Sequence, residues 1–534
     1  MSAAAGAPEP LVPAPAGGAA GAGLGPTGHG AETGKAGSAA VGPTHRADQP
    51  AVTEHTALST PRLGVASLVF LIIAASAPLT VLAGGAPTSY GVTGVLGLPL
   101  GYLALGVLLS LFAVGYGAMS ASIRNAGAFY AYIAAGLGVR QGIAASLLAL
   151  VSYNAMQVGL YGIFGFTVAV FLQGLIGVAV PWWGCALAAW LLVGLLGIGR
   201  VDLSAKVIAV LVVLEFLTVA AIDVLSLVVA PEGVSTVPLQ PSSLFVPGIG
   251  AMLAFGVAAF MGFESGAVYA EETREPRRSV PTATFIAVGL IACFYAFSSW
   301  TLAVGIGPSA VVARSAELGP DLVFVMLGDH TAKIVVDVVN LLFITSLLAA
   351  LMAFHNAAAR YFYALGRTGV LPRLFGRTLP ASGAPLVGSL AQSGLALIVV
   401  VVFAVVGRNA PEGPLFPVVT LFSWLTNAAA FGLVFLLTVT SLAVIGFFRS
   451  RPEEVGIFTR LIAPMLAAIG LGTVFVLILI NFDVLIGSGS PVLVTVMPGI
   501  ILAAGVIGLI RGEYLRRVRP EVYREAAEQL DTPV

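Results

Sequence analysis

The sequence predicts an all-α membrane protein of about twelve transmembrane helices. Three observations carry this. Hydrophobic residues make up 58% of the 534-residue chain and charged residues 9%, where a soluble domain is nearer 25% charged. Mean hydropathy is +1.00. Between residues 64 and 511 the chain is a series of apolar runs, each near or above the ~20 residues that cross ~30 Å of hydrocarbon. The 64 glycines exceed the usual ~7% and suit helix interfaces in lipid, where small residues let backbones approach.

Composition also excludes. Lys and Arg balance Asp and Glu, 25 against 25, which argues against nucleic acid as a partner, since neutralising phosphates takes a basic surplus. Cys185 and Cys293 lie in apolar runs and read as packing residues; their number rules out a disulfide framework or zinc site. The chain carries no Walker loop, HExxH or GxSxG motif, so neither an enzyme nor a cofactor is expected.

Residues 1–60 are rich in Ala, Gly and Pro and bury too little to offset ordering entropy, so a disordered cytoplasmic tail is expected. It lacks the roughly 7–15-residue apolar stretch of a signal peptide. Its histidines, His29, His45 and His55, are too far apart for a metal tract. The membrane domain, 61–511, holds runs at about 64–86, 93–119, 127–172, 181–199 and 203–230 (helices 1–5, about 64–230). Runs at about 247–270, 281–306, 331–364, 386–407 and 414–448 follow (helices 6–10, about 247–448), then 457–482 and 491–511 (helices 11–12, about 457–511). The third run is too long for one perpendicular crossing. It is expected to begin as an amphipathic stretch, Ala128-Phe129-Tyr130-Ala131-Tyr132, and to span from about Gly142. Residues 512–534 read as a polar cytoplasmic tail.

Twelve crossings place all 25 Lys and Arg residues except Arg314, Lys333 and Arg408 on one side. That asymmetry is the positive-inside signal, so both termini are expected in the cytoplasm and the chain in the plasma membrane.

Two runs are interrupted in corresponding positions. Run 1 reads Ala74-Ala75-Ser76-Ala77-Pro78-Leu79-Thr80, and Pro78 lacks an N–H and clashes with the preceding turn. Run 6 reads Ala254-Phe255-Gly256-Val257-Ala258-Ala259-Phe260-Met261-Gly262-Phe263-Glu264, with two glycines and an acid at mid-depth. Breaks five crossings apart fit an inverted repeat, because a second five-helix unit necessarily starts upside down. Broken helices aim N–H groups at an anionic substrate group and carbonyls at a cation, which suits a zwitterionic amino acid. The competing reading is a proline kink and a glycine packing seam without a site.

At this point the residues resemble a family. Phe260-Met261-Gly262-Phe263-Glu264 followed by Glu271-Glu272-Thr273-Arg274-Glu275-Pro276-Arg277-Arg278-Ser279-Val280-Pro281 is similar to the span 6 motif of the amino acid–polyamine–organocation (APC) superfamily of permeases. Asn356-Ala357-Ala358-Ala359-Arg360 with Arg367-Thr368-Gly369-Val370-Leu371-Pro372, and more weakly Asn125-Ala126-Gly127-Ala128-Phe129-Tyr130-Ala131-Tyr132, resemble two further stretches. The resemblance covers about 64–511. It implies a LeuT-like 5+5 inverted repeat plus two C-terminal helices, transporting amino acids or related amines by alternating access. It further implies a substrate carboxylate on freed N–H groups around Ala75, Ser76, Ala77, Pro78, Leu79 and Thr80. The amino group would meet carbonyls around Phe255, Gly256, Val257, Ala258 and Ala259, under Phe260 or Met261. The chain departs from the pattern twice. Run 1 lacks the usual Gly-Ser/Thr-Gly, and Glu215 stands where some proton-coupled members carry Lys.

Ionisable groups inside spans are costly and default to functional candidates. Glu264 is the first candidate for coupling or gating, against a bracing role. Glu215 is the second, and His355 a third through a relay with Glu215, or else a packing residue. Asp223 and Asp337 lie nearer outer ends and read as wetted. The hydroxyls expected of a sodium site late in span 8 are missing from Leu348–His355, so proton coupling or exchange is expected. Tyr153, Asn154 and Gln157 are candidate cavity residues, Asn154 and Gln157 sharing a helix face. Trp424 with Asn427 is a candidate outer gate, and Trp182 and Trp183 are interfacial anchors. The apolar walls of run 6 favour a neutral or hydrophobic amino acid; a polyamine or basic amino acid is the alternative. A twelve-span facilitator of the major-facilitator plan is the second alternative, disfavoured by the short 271–280 link. Expected partners are a small-molecule substrate and membrane lipid; oligomeric state is left open.

Overall fold

The computed structural model describes residues 63–123, 129–199, 205–267, 273–379, 384–487 and 491–531. The 1–60 tail with its histidines, Asn125–Ala128, and Glu271 and Glu272 lie outside them. Among the described residues, twelve helices are long and apolar enough to cross a membrane. Spans 1 to 6 are Val65–Thr93, Leu98–Ser120, Val139–Ile176, Trp182–Gly199, Ala209–Val229 and Ile249–Gly266. Spans 7 to 12 are Arg278–Ile306, Lys333–Arg367, Leu386–Asn409, Gly413–Arg449, Phe458–Ile480 and Pro491–Val518.

The spans follow the apolar runs because a backbone in hydrocarbon must satisfy its own hydrogen bonds. The third run resolves as expected into two pieces, but the joint is Gly138, at φ 112°, a conformation that suits glycine. The preceding piece is a helix, Phe129–Leu137, whose residues Phe129 through Ala134 are all buried, against spans 3 and 10.

Two groups of helices emerge. Spans 1, 2, 6 and 7 pack on one another, and spans 3, 4, 8 and 9 form a second set. Span 3 is the central post. Its 38 residues, at 1.5 Å per residue, run to about 57 Å. It touches spans 4, 8, 9, 10 and 12.

At the arginine-rich end, Arg274 N–H donates to the Leu63 carbonyl at 3.1 Å, joining the start of span 1 to the exit of span 6. Span 12 continues past its apolar run to Val518, and a separate helix, Pro520–Asp531, follows. Its apolar side buries Val522 and Ala526. Val522 clusters with Tyr130, Leu365 and Val370. Tyr130 donates to the Ala526 carbonyl at 3.4 Å, and Glu525 lies 3.8 Å from Arg373. Arg511 holds the same turn from span 12, donating to the carbonyls of Val370 (2.9 Å) and Gly369 (3.3 Å).

Candidate functional site

The break in span 1 falls at Ala77, one residue before Pro78. The first half ends at Ser76. Ala77 has φ 45°, unusual for a residue with a Cβ, and such outliers gather at functional sites. Its N–H folds back to the carbonyls of Ile73 (3.1 Å) and Ala74 (3.2 Å). The helix resumes with a wide π turn, Thr80–Gly85. Sequence reasoning found the proline but not the π turn.

In span 6 the first half runs unbroken through Phe260, and the break is Met261–Gly262, with Gly262 at φ 111°. The Ala258 carbonyl accepts the Met261 N–H at 3.1 Å, so the carbonyls left by the last turn are those of Val257, Ala259 and Phe260. The expected stretch, Phe255–Ala259, sits about half a turn too early.

The two breaks abut. A Cβ on Gly262 would lie 2.9 Å from the Cβ of Ala75 and 3.2 Å from its carbonyl carbon. Beside this contact lies a cavity of about 50 Å3. Of the expected residues, Ala75, Ser76, Ala77, Thr80, Phe255, Ala258, Ala259 and Met261 line it. Pro78, Leu79, Gly256, Val257 and Phe260 do not; Phe260 instead packs on Tyr102 and Tyr295. The far walls were missed: Tyr102 from span 2, Met156 and Leu160 from span 3, Ala350 and Phe354 from span 8, Phe422 and Thr426 from span 10. Phe422 ends a second π turn, Pro417–Phe422. Only Pro417 hinted at it.

Each broken end is engaged by side chains from afar. The Ser76 carbonyl accepts the Tyr295 hydroxyl at 2.9 Å. Leu79 N–H donates to the Glu215 carboxylate at 3.3 Å, so an internal acid already sits at the start of the second half-helix, where the dipole favours negative charge. Thr80 Oγ1 lies 3.0 Å from Ser346 Oγ. This corrects the expectation that span 8 brings no hydroxyl to the break. Ser346, two residues before the Leu348–His355 stretch, is the residue that arrives.

Glu264 is 1% exposed. Its carboxylate accepts the Tyr153 hydroxyl from span 3 and, at 3.0 Å, the N–H of Gly262. The Tyr116 hydroxyl donates to its carbonyl at 3.1 Å. Tyr153 stacks on Tyr361, with ring centroids 5.3 Å apart. Glu264 and Tyr153 thus tie span 6 to span 3 between the cavity and the arginine-rich end.

The remaining candidates go elsewhere. His355 does not meet Glu215. Its Nε2 lies 2.8 Å from Ser389 Oγ and its Nδ1 3.4 Å from Gln157 Nε2. Gln157 also donates to Tyr161 at 3.1 Å and accepts from Gln392. Its two N–H groups and its carbonyl are therefore all used, which makes it a brace among spans 3, 8 and 9 rather than a cavity residue. Asn154 donates to the Leu150 carbonyl within its own helix and does not line the cavity. Trp424 is turned away, donating to the Ile486 carbonyl at 2.9 Å. Asn427 binds back to Ser423. Phe422, two residues before Trp424, is the aromatic group of span 10 that lines the cavity. Asp223 is not wetted; buried, it accepts from Ser298 (2.8 Å) and Thr301 (2.6 Å). Asp337 pairs with Lys333 at 2.8 Å. Among the described residues no three His, Cys, Asp or Glu side chains gather as metal ligands would.

The family model described as amino acid permease matches residues 68–520. Over 193 residues the chain is 27% identical to the lysine-specific permease of Saccharomyces cerevisiae, covering 36% of this chain and 30% of that one. It is 30% identical over 132 residues to the cadaverine/lysine antiporter of Escherichia coli (25% and 28% covered). It is also 30% identical over 131 residues to a branched-chain amino acid permease of Lactococcus lactis (23% and 27%). The matched stretch thus spans under a third of each of these relatives. A manganese transporter of Eremococcus coleocola, crystallised with an aromatic bis-isothiourea compound, superposes with a TM-score of 0.50 at 15% identity, over 90% of this chain and 99% of that one. The fold it shares is the LeuT-like one, which sets aside the major-facilitator plan.

Proposed function

The chain belongs to the amino acid permease family, and on that premise we propose that it is a secondary active transporter of neutral amino acids, driven by protons or by exchange. It works by alternating access across the plasma membrane, with both termini in the cytoplasm. The observation that carries this reading is the contact between the two breaks, Ala75 against Gly262, beside a cavity that Ala75 lines. The second half of span 1 starts at Leu79–Thr80, where the dipole is positive toward a carboxylate and Glu215 already holds the Leu79 N–H, and the carbonyls of Val257, Ala259 and Phe260 present negative dipole to an ammonium group. Met261 covers the bound molecule.

Glu264 carries the coupling proton in this reading. As a carboxylate it accepts from both Tyr153 and Gly262. Protonation of the oxygen that faces Gly262 turns that acceptor into a donor, so the Gly262 bond is lost and the break in span 6 loosens, while the Tyr153 hydroxyl keeps its contact. Glu215 is a second proton carrier, bound to Leu79. His355 is left as a brace.

Two of the relatives named above are lysine transporters, which favours a basic substrate as the second reading. Against it, no carboxylate lines the cavity; Glu215 and Glu264 lie behind its walls with their oxygens engaged. The test is uptake into proteoliposomes under an imposed proton gradient. Glu264→Gln abolishes proton-driven uptake; unchanged uptake rejects the role of Glu264. Transport of lysine in preference to every neutral amino acid rejects the substrate class.

A further inference from the structure

We infer that the cavity selects by size and that the substrate is a small neutral amino acid, alanine or serine rather than leucine, with Met156 and Leu160 as the residues that set the limit. This rests on the amino acid reading above and narrows it.

The cavity of about 50 Å3 has room for about four waters, at the roughly 10–15 Å3 of probe-occupied volume that each requires. That is enough for a zwitterionic backbone and a methyl or hydroxymethyl group. The charged end of the substrate is fixed by the breaks, so the side chain points at the opposite wall. Met156 and Leu160 stand one turn apart on the same face of span 3 and line the cavity, as do Phe354 and Phe422.

The wall is not free to shift, because spans 3 and 10 are in close contact along the turns that carry it. A Cβ on Gly159, between Met156 and Leu160, would lie 2.8 Å from Thr426 Cγ2 and 3.2 Å from its backbone nitrogen. One on Gly162 would lie 3.1 Å from the Phe422 nitrogen. Span 3 is held from its other side by Gln157, whose hydrogen-bonding groups are all bound to Tyr161, His355 and Gln392. The isobutyl group of leucine therefore displaces Met156 or Leu160 from a packed position. Each methylene that such a pocket refuses is worth about 10–200-fold.

The experiment is counterflow in proteoliposomes holding the full chain, each batch loaded with unlabelled amino acid and given the same one radiolabelled: glycine, alanine, serine, leucine, phenylalanine or lysine. Counterflow needs no imposed ion gradient. Alanine or serine enters with at least tenfold greater efficiency than leucine, phenylalanine or lysine. Met156→Ala moves the leucine-to-alanine ratio at least tenfold toward leucine, and Leu160→Ala does the same should Met156→Ala fold poorly. Wild-type leucine or lysine entry within tenfold of alanine overturns the size limit while leaving amino acid transport standing. A wild-type preference that neither variant shifts removes Met156 and Leu160 as its cause. No counterflow of any of the six overturns the transport reading and this inference with it.

Discussion

Gly262→Ala tests the contact on which the site is built. Two costs add. Gly262 has φ 111°, a region that a Cβ makes unfavourable by about 1–3 kcal/mol. The new Cβ also meets Ala75 at 2.9 Å and its backbone carbonyl carbon at 3.2 Å. Backbone cannot step aside as a flexible side chain would, and overpacking of this kind costs about 1–3 kcal/mol. The lower bounds together give about 2 kcal/mol. At 1.4 kcal/mol per factor of ten, the conformer with abutting breaks becomes about 30-fold less populated. Initial-rate counterflow in proteoliposomes, normalised to folded protein by size-exclusion chromatography, reads this out. The control is Gly289→Ala on span 7, where a Cβ meets nothing within 4 Å. Gly262→Ala falls at least tenfold below that control. Equal rates for the two variants refute the idea that the breaks must touch for transport.

Three further outcomes follow from other contacts. Glu215→Leu leaves Leu79 N–H without its buried acceptor, at a cost of about 1–3 kcal/mol, so its melting temperature in detergent drops below that of Glu215→Gln, which keeps an acceptor oxygen; equal melting would show the Leu79 bond to be dispensable. Val522→Asp puts a charge among Tyr130, Leu365 and Val370 and releases the C-terminal helix, seen as new trypsin sensitivity after Arg524 within it. Arg373→Ala changes little, because the exposed pair with Glu525 is worth no more than about 1 kcal/mol; the reverse order of effects would make the ion pair, not the apolar face, the clasp. Burial holds the Asp321 carboxyl, in the segment between spans 7 and 8, above its ordinary value. A raised folded-state value means stability is fully present at pH below the unfolded-state value and is lost as pH rises through the folded one. Asp321→Asn flattens that decline in a melting series across pH, and an unchanged slope would remove Asp321 as its source.

Much of this protein is legible from its residues because the bilayer imposes local rules. A segment in hydrocarbon must be apolar, about twenty residues long and internally hydrogen-bonded, so the apolar runs alone mark the twelve crossings. Pro78 and Gly262 interrupt their own helices, and interruption is a property of the local backbone, so both breaks can be found without knowing what surrounds them. What fills each break is a different kind of fact. Leu79 finds Glu215 136 residues away, Thr80 finds Ser346 at 266, and Tyr153 finds Glu264 at 111. Spacing along one helix gives no information about partners on another, because any of several helices can be its neighbour. For that reason His355 and Trp424 look equally available in the chain, yet packing turns one into a brace and the other away from the cavity, while Phe422 is carried in by a π turn. The sequence by itself determined the crossings, their breaks and the acids worth watching. Only tertiary packing decided which groups face the cavity and how little room they leave, since both depend on the distances between helices.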